Sequence, residues 1–122
     1  MMRRLGAMAA TIALTGTVAA AQAPDPKLVN EGKKLYTTYK CDKCHTINGR
    51  GTKKKDGELD DIGTKLVPAD IKKWLTAPAD MEAKLKTPPK GTDAMSNALK
   101  TKGIEPGEVD ALVAYLRTLT KK

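Results

Sequence analysis

Every cysteine and the one histidine of this chain fall within five consecutive residues, Cys41-Asp42-Lys43-Cys44-His45. Chance scatter of two Cys and one His would rarely produce a C-x-x-C-H run, so the fold must be one that serves this cluster. A structural zinc ion needs four nitrogen or sulfur ligands, and Cys and His together supply three here. A thioredoxin-like dithiol wants a βαβ setting, whereas the flanks read as helix and lysine-rich loop. A disulfide between Cys41 and Cys44 suits an exported protein, but it closes too short a loop to stabilise the chain much and leaves His45 idle.

One reading uses all three side chains. Two thiols three positions apart on a helical turn can each form a thioether to one vinyl group of the same porphyrin, while the following imidazole points at the iron; this is the attachment signature of c-type haem. Composition agrees. The chain has 122 residues, 3% aromatics and no Phe, leaving Trp74, Tyr36, Tyr39 and Tyr115 as its large rings. That is a thin core for one small domain, of the kind that needs a disulfide, metal or cofactor as a staple. A porphyrin, larger than any side chain, would fill the space. The same arithmetic excludes a multi-domain machine, a polytopic membrane protein and a large enzyme with an interdomain cleft.

The N-terminus reads separately. Arg3 and Arg4 precede an uncharged, apolar stretch from Leu5 to Ala21 that ends in Ala19-Ala20-Ala21. A basic n-region, an apolar h-region and small residues before the cut describe a secretory signal peptide over 1–21, cleaved after Ala21 or Ala23, with a domain over 22–122. The alternative is a membrane anchor, but the stretch is rich in Ala, Thr and Gly rather than Leu and Ile. Its removal lowers the formal charge from +8 to +6, and nothing after it is long and apolar enough to span a membrane. The expected location is the periplasm.

Over residues 26–120 the sequence resembles a mono-haem class I cytochrome c. The resemblance implies an all-α fold in which N- and C-terminal helices cross and short helices and loops wrap one haem. Asp25 and Pro26 predict the start of the first helix, with Leu28, Gly32, Leu35, Tyr36 and Tyr39 near one face. Pro106 predicts the start of the last, with Val109, Leu112, Val113, Leu116 and Leu119 as its stripe up to Leu119. In the family a Gly on the first helix lets an aromatic of the last approach closely, and Gly32 with Tyr36 opposite Tyr115 resembles that contact. Pro68 to Thr76 reads as a short helix between Pro68 and Pro78.

The resemblance also implies site roles. Cys41 and Cys44 would carry the haem, His45 would be the proximal iron ligand, and a backbone carbonyl within Gly57–Gly63 would accept a hydrogen bond from it. Glu58 stands where the family usually has Pro, so which carbonyl serves stays open. Trp74 would lie against the haem near a propionate; its other reading is core. With no second His, bis-histidine ligation within one chain is excluded. The family's distal ligand is a Met in the loop before the last helix. Met95 lies 50 residues after His45 and 11 before Pro106 and matches that placement, although Ser96 follows it where Pro is common. Met81 follows closely on the Trp74 segment, and either Met could simply fill core space.

His/Met ligation fills both axial positions and raises the reduction potential, which describes a one-electron carrier rather than an enzyme. Lys53-Lys54-Lys55, Lys72-Lys73, Lys84, Lys86 and Lys90 are solvated charges or a face that steers acidic redox partners to the haem edge. Asp56, Glu58, Asp60 and Asp61 make that surface mixed. Nucleic acid is not an expected partner, given export and the lack of aromatics among the basic runs. The expected state is a monomer that does not span a membrane. Two alternatives remain: an electron-outlet subunit of a periplasmic dehydrogenase, and an open-site haem protein that binds gas or acts like a peroxidase.

Overall fold

The computed structural model describes residues 23–52, 57–89 and 94–121; the expected signal peptide, Lys53–Lys55 and Lys90 lie outside them. Helix α1 spans Pro26–Thr38, with the Asp25 carboxylate accepting from the Lys27 backbone N–H at 2.9 Å and Pro26 in the first turn, where its missing N–H costs nothing. Helix α6 spans Pro106–Arg117 and opens with a reciprocal box in which Glu105 and Glu108 cap each other's backbone. It stops short of Leu119, with the Thr118 hydroxyl donating back to the Tyr115 carbonyl at 2.6 Å.

These two helices cross at Gly32. A β-carbon there would overlap the Ala111 carbonyl and stand 2.7 Å from Tyr115 Cβ, so only glycine lets the backbones meet. The rings of Tyr36 and Tyr115 then meet edge to face, with centroids 5.9 Å apart. Val109, Ala111, Leu112, Ala114 and Leu116 are buried. The expected stripes are corrected in three places. Leu28 is 36% exposed, Val113 and Leu119 are half-buried, and Ala111 and Ala114 are buried in their stead. The close crossing is the reason: once backbones touch, small side chains fill the seam.

Helix α3 spans Pro68–Thr76 as expected and packs on α6, with Ile71 its buried residue. Pro78, read as a stop, also starts the next helix, α4 (Pro78–Glu82), at whose first turn proline is well tolerated. A single turn, α2 (Ile62–Lys65), and α5 (Met95–Leu99) complete the helices of the described residues. A two-stranded antiparallel hairpin, β1 (Thr46–Ile47) and β2 (Arg50–Gly51), was not expected. Its turn residues Asn48 and Gly49 have φ of 52° and 77°, the positive values a tight hairpin turn demands. The Asn-Gly pair was legible in the sequence. Among the described residues, no helix is long and apolar enough to cross a membrane.

Candidate functional site

The end of α1 delivers the cluster. Tyr39 closes the helix, Lys40 turns left-handed at φ 55°, and Cys41–Lys43 form one 3₁₀ turn. Within it the Cys44 and His45 backbone N–H groups both donate to the Cys41 carbonyl, at 3.2 and 3.1 Å. This winds the two cysteines and the histidine around one turn. The thiols are half-buried and not joined to each other. Burial pushes the Cys41 thiol above its ordinary pKa, against the nearby Lys102 charge, so it is held as the neutral thiol.

The turn is clamped from three sides. The hairpin presses on it at Gly51, whose φ is 116°; a β-carbon there would overlap the His45 carbonyl and come within 2.9 Å of the Asp42 carbonyl. The neighbouring Thr52 N–H donates to that Asp42 carbonyl at 2.8 Å. On the helix side, the Lys102 ammonium donates to the Tyr39 carbonyl at 2.6 Å, satisfying one of the carbonyls left open at the end of α1. The Tyr39 hydroxyl donates to Glu108 at 2.6 Å, tying that same end to the start of α6.

The third clamp acts on the imidazole. His45 Nδ1 lies 3.0 Å from the Gly57 carbonyl. A carbonyl only accepts, so Nδ1 carries the proton and the Nε2 lone pair is left for a ligand. Burial holds the imidazole pKa below its ordinary value, with the Gly57 bond pulling the other way, so the ring is neutral. The Gly57 carbonyl is itself fixed, since it also accepts the Thr46 N–H at 3.1 Å, while Leu59 N–H donates to the Thr46 carbonyl at 2.9 Å. Glu58 in place of Pro thus sits in a short parallel bridge with Thr46 rather than disturbing the acceptor.

Two thiols not joined to each other and a neutral imidazole whose Nε2 lone pair is left for a ligand are the donor set a covalently attached haem requires. Among the described residues, no group of three or more His, Cys, Asp and Glu side chains gathers as a metal-ligand set.

The two methionines fall on packed elements. Met81 lies on α4, Met95 is the first residue of α5, both are half-buried, and α4 packs on α5. Trp74 is half-buried on α3. Of the lysines, Lys72 is exposed and lies 3.8 Å from Asp110, and Lys73, Lys84 and Lys86 are exposed. Of the acidic run, Asp56 lies outside the described residues, and Asp60 and Asp61 are spent on local structure. Asp60 accepts from the Asn48 N–H at 2.5 Å, and Asp61 accepts from the Lys121 N–H at 2.9 Å.

Sequence reasoning missed Lys102, Glu108 and Glu82, whose carboxylate grips Ser96. The Glu105-x-x-Glu108 spacing was a readable capping signal; no sequence signal marks the reach of Lys102 or Glu82 across the fold.

Comparison with known proteins adds one match: a family model described as cytochrome c covers residues 29–120. Comparisons with curated proteins and with solved structures found no match.

Proposed function

The chain belongs to the cytochrome c family, and from that premise we propose that it is an exported one-electron carrier with one haem held by Cys41 and Cys44 and ligated by His45 and Met95. The observation that carries this reading is the His45–Gly57 bond beside two unpaired thiols. When bound, haem supplies an iron centre that cycles between ferric and ferrous states. Cys41 and Cys44 hold the group in place, and the 3₁₀ turn sets their spacing. Gly57 keeps the Nδ1 proton on His45, which fixes the ring's orientation and makes Nε2 a better donor. Met95, as a thioether, would favour the ferrous ion and, with His45, would leave no position open to a substrate.

Arg3, Arg4 and the apolar stretch to Ala21 support removal of a signal peptide and a periplasmic destination. Exposed Lys73, Lys84 and Lys86 support docking of acidic redox partners, electrons passing between periplasmic or membrane proteins without a bound substrate.

The test is expression of the full chain in a host that matures c-type haem. The expected product is exported, lacks residues 1–21, carries one haem that survives denaturation, and shows in its oxidised form the long-wavelength Met-to-iron charge-transfer band. Rapid, complete carbon monoxide binding to the reduced protein at neutral pH would overturn His/Met ligation in favour of an open site. Electron-transfer rates to an acidic partner should fall as salt rises; a flat dependence removes the docking claim.

A further inference from the structure

Glu82 is 6% exposed, and Glu82 and Thr46 are the buried polar residues among those described. Burying a carboxylate is costly unless its oxygens find donors. Both oxygens of Glu82 are committed to one residue: Oε1 accepts the Ser96 backbone N–H at 2.7 Å and Oε2 accepts the Ser96 hydroxyl at 2.9 Å. Ser96 directly follows Met95.

The local chain explains why such a grip is needed. Helix α5 has five residues, too few to hold itself together without tertiary support. The residue at its N-cap is Ala94, which has no side chain able to accept from the first-turn N–H groups. Glu82, reaching from the end of α4, takes over that capping role from outside the helix. Ser96 offers both donors; a proline in its place would offer neither an N–H nor a hydroxyl.

We propose that Glu82 is a positioning residue for the distal ligand: by fixing Ser96 it fixes the backbone on which Met95 stands. This rests on Met95 being the sixth ligand, as proposed above. A thioether is a weak ligand, and its hold on iron depends on how much ordering its segment must undergo to present it. Glu82 does that ordering in advance, one peptide unit away from Met95.

The test uses the full-length holoprotein and its Glu82→Ala, Glu82→Gln, Ser96→Ala and Met95→Ala variants. Readouts are the Met-to-iron charge-transfer band of the oxidised form, the rate at which added imidazole replaces the sixth ligand, and the reduction potential. Glu82→Ala is expected to weaken the band, speed imidazole binding about tenfold, the size of a lost cap, and lower the potential. Glu82→Gln, which keeps an acceptor for the Ser96 N–H, should recover part of each change. Ser96→Ala, which leaves Glu82 in place and removes one of the two bonds, should give a smaller effect of the same sign, and it stands as the test if Glu82→Ala does not fold. Wild-type band, rate and potential in both Glu82→Ala and Ser96→Ala overturn the proposal while Met95→Ala still abolishes the band. A band that survives Met95→Ala overturns the Met95 assignment and the Glu82 role with it.

Discussion

Gly32 and the Ala111 carbonyl touch: a β-carbon on Gly32 would occupy the space of that oxygen. The contact sets how close α1 comes to α6, and α1 ends one residue before Tyr39, from which the Cys41 turn departs. The position of the candidate site therefore depends on a backbone contact well outside it.

Gly32→Ala should destabilise the holoprotein by about 2 kcal/mol, since overpacking a tight contact costs about 1–3 kcal/mol and exceeds the gain of up to about 1 kcal/mol from replacing a helical glycine. Denaturant unfolding followed at the haem absorbance measures it. An unchanged midpoint would show that the crossing can open freely.

Two further glycines separate strain from crowding. Gly49 and Gly51 both have positive φ, but a β-carbon on Gly49 meets nothing within 4 Å while one on Gly51 overlaps the His45 carbonyl. Gly49→Ala should cost about 1 kcal/mol, the conformational penalty alone. Gly51→Ala should cost about 3 kcal/mol or more, and it should lower the yield of haem-loaded protein, because the crowding falls on the histidine's own peptide. Equal losses in unfolding midpoint for the two variants would show that Gly51 does not clamp the turn.

How much of this was readable beforehand divides along a physical line. Helix starts at Pro26, Pro68 and Pro106 were legible because capping and proline placement act over a few neighbouring residues. The C-x-x-C-H run was legible for the same reason. The Asn48-Gly49 turn carries an equally local signal. What could not be read were contacts made across the chain: Lys102 on the Tyr39 carbonyl, Glu82 on Ser96, and Gly57, rather than another residue of its stretch, on His45. Each depends on where distant segments dock, and Lys or Glu has no spacing that announces such a reach. The same limit explains Leu28, whose periodicity matched the buried face but which lies beyond the close crossing.

The Tyr36 hydroxyl is buried and has no hydrogen-bond partner among the described residues. Burial also raises its pKa, so it stays protonated, a donor without an acceptor. An unsatisfied buried polar group costs about 1–3 kcal/mol, so Tyr36→Phe, which keeps the ring against Tyr115, should stabilise the protein by about 1 kcal/mol. Thermal unfolding is the measurement. A loss of stability would mean that water or the bound haem supplies the missing partner.

Tyr39 and Glu108 make the staple between the end of α1 and the start of α6 sensitive to pH at both ends of the scale. The Tyr39 hydroxyl holds the Glu108 carboxyl below its ordinary 4.5, and the Glu105 N–H adds to this. A depressed carboxyl contributes stability above its unfolded pKa, and the contribution is lost as pH falls through the lower folded value. The same bond to Glu108 pushes the Tyr39 phenol from 10.0 up to about 12. A raised phenol contributes fully below its unfolded pKa, and that contribution is lost as pH rises from 10.0 through about 12. The staple should therefore be at full strength between about pH 5 and 9 and weaken on either side. Both groups are half-buried at the surface, where solvent still screens the pair, so the effect is modest and best read as a difference. Denaturant midpoints of wild type and Tyr39→Phe should be separated by a constant amount on the plateau and converge below pH 4.5, as the carboxyl is protonated. A gap that stays constant down to acid pH would assign the Tyr39 contribution to packing of its ring and not to the bond with Glu108.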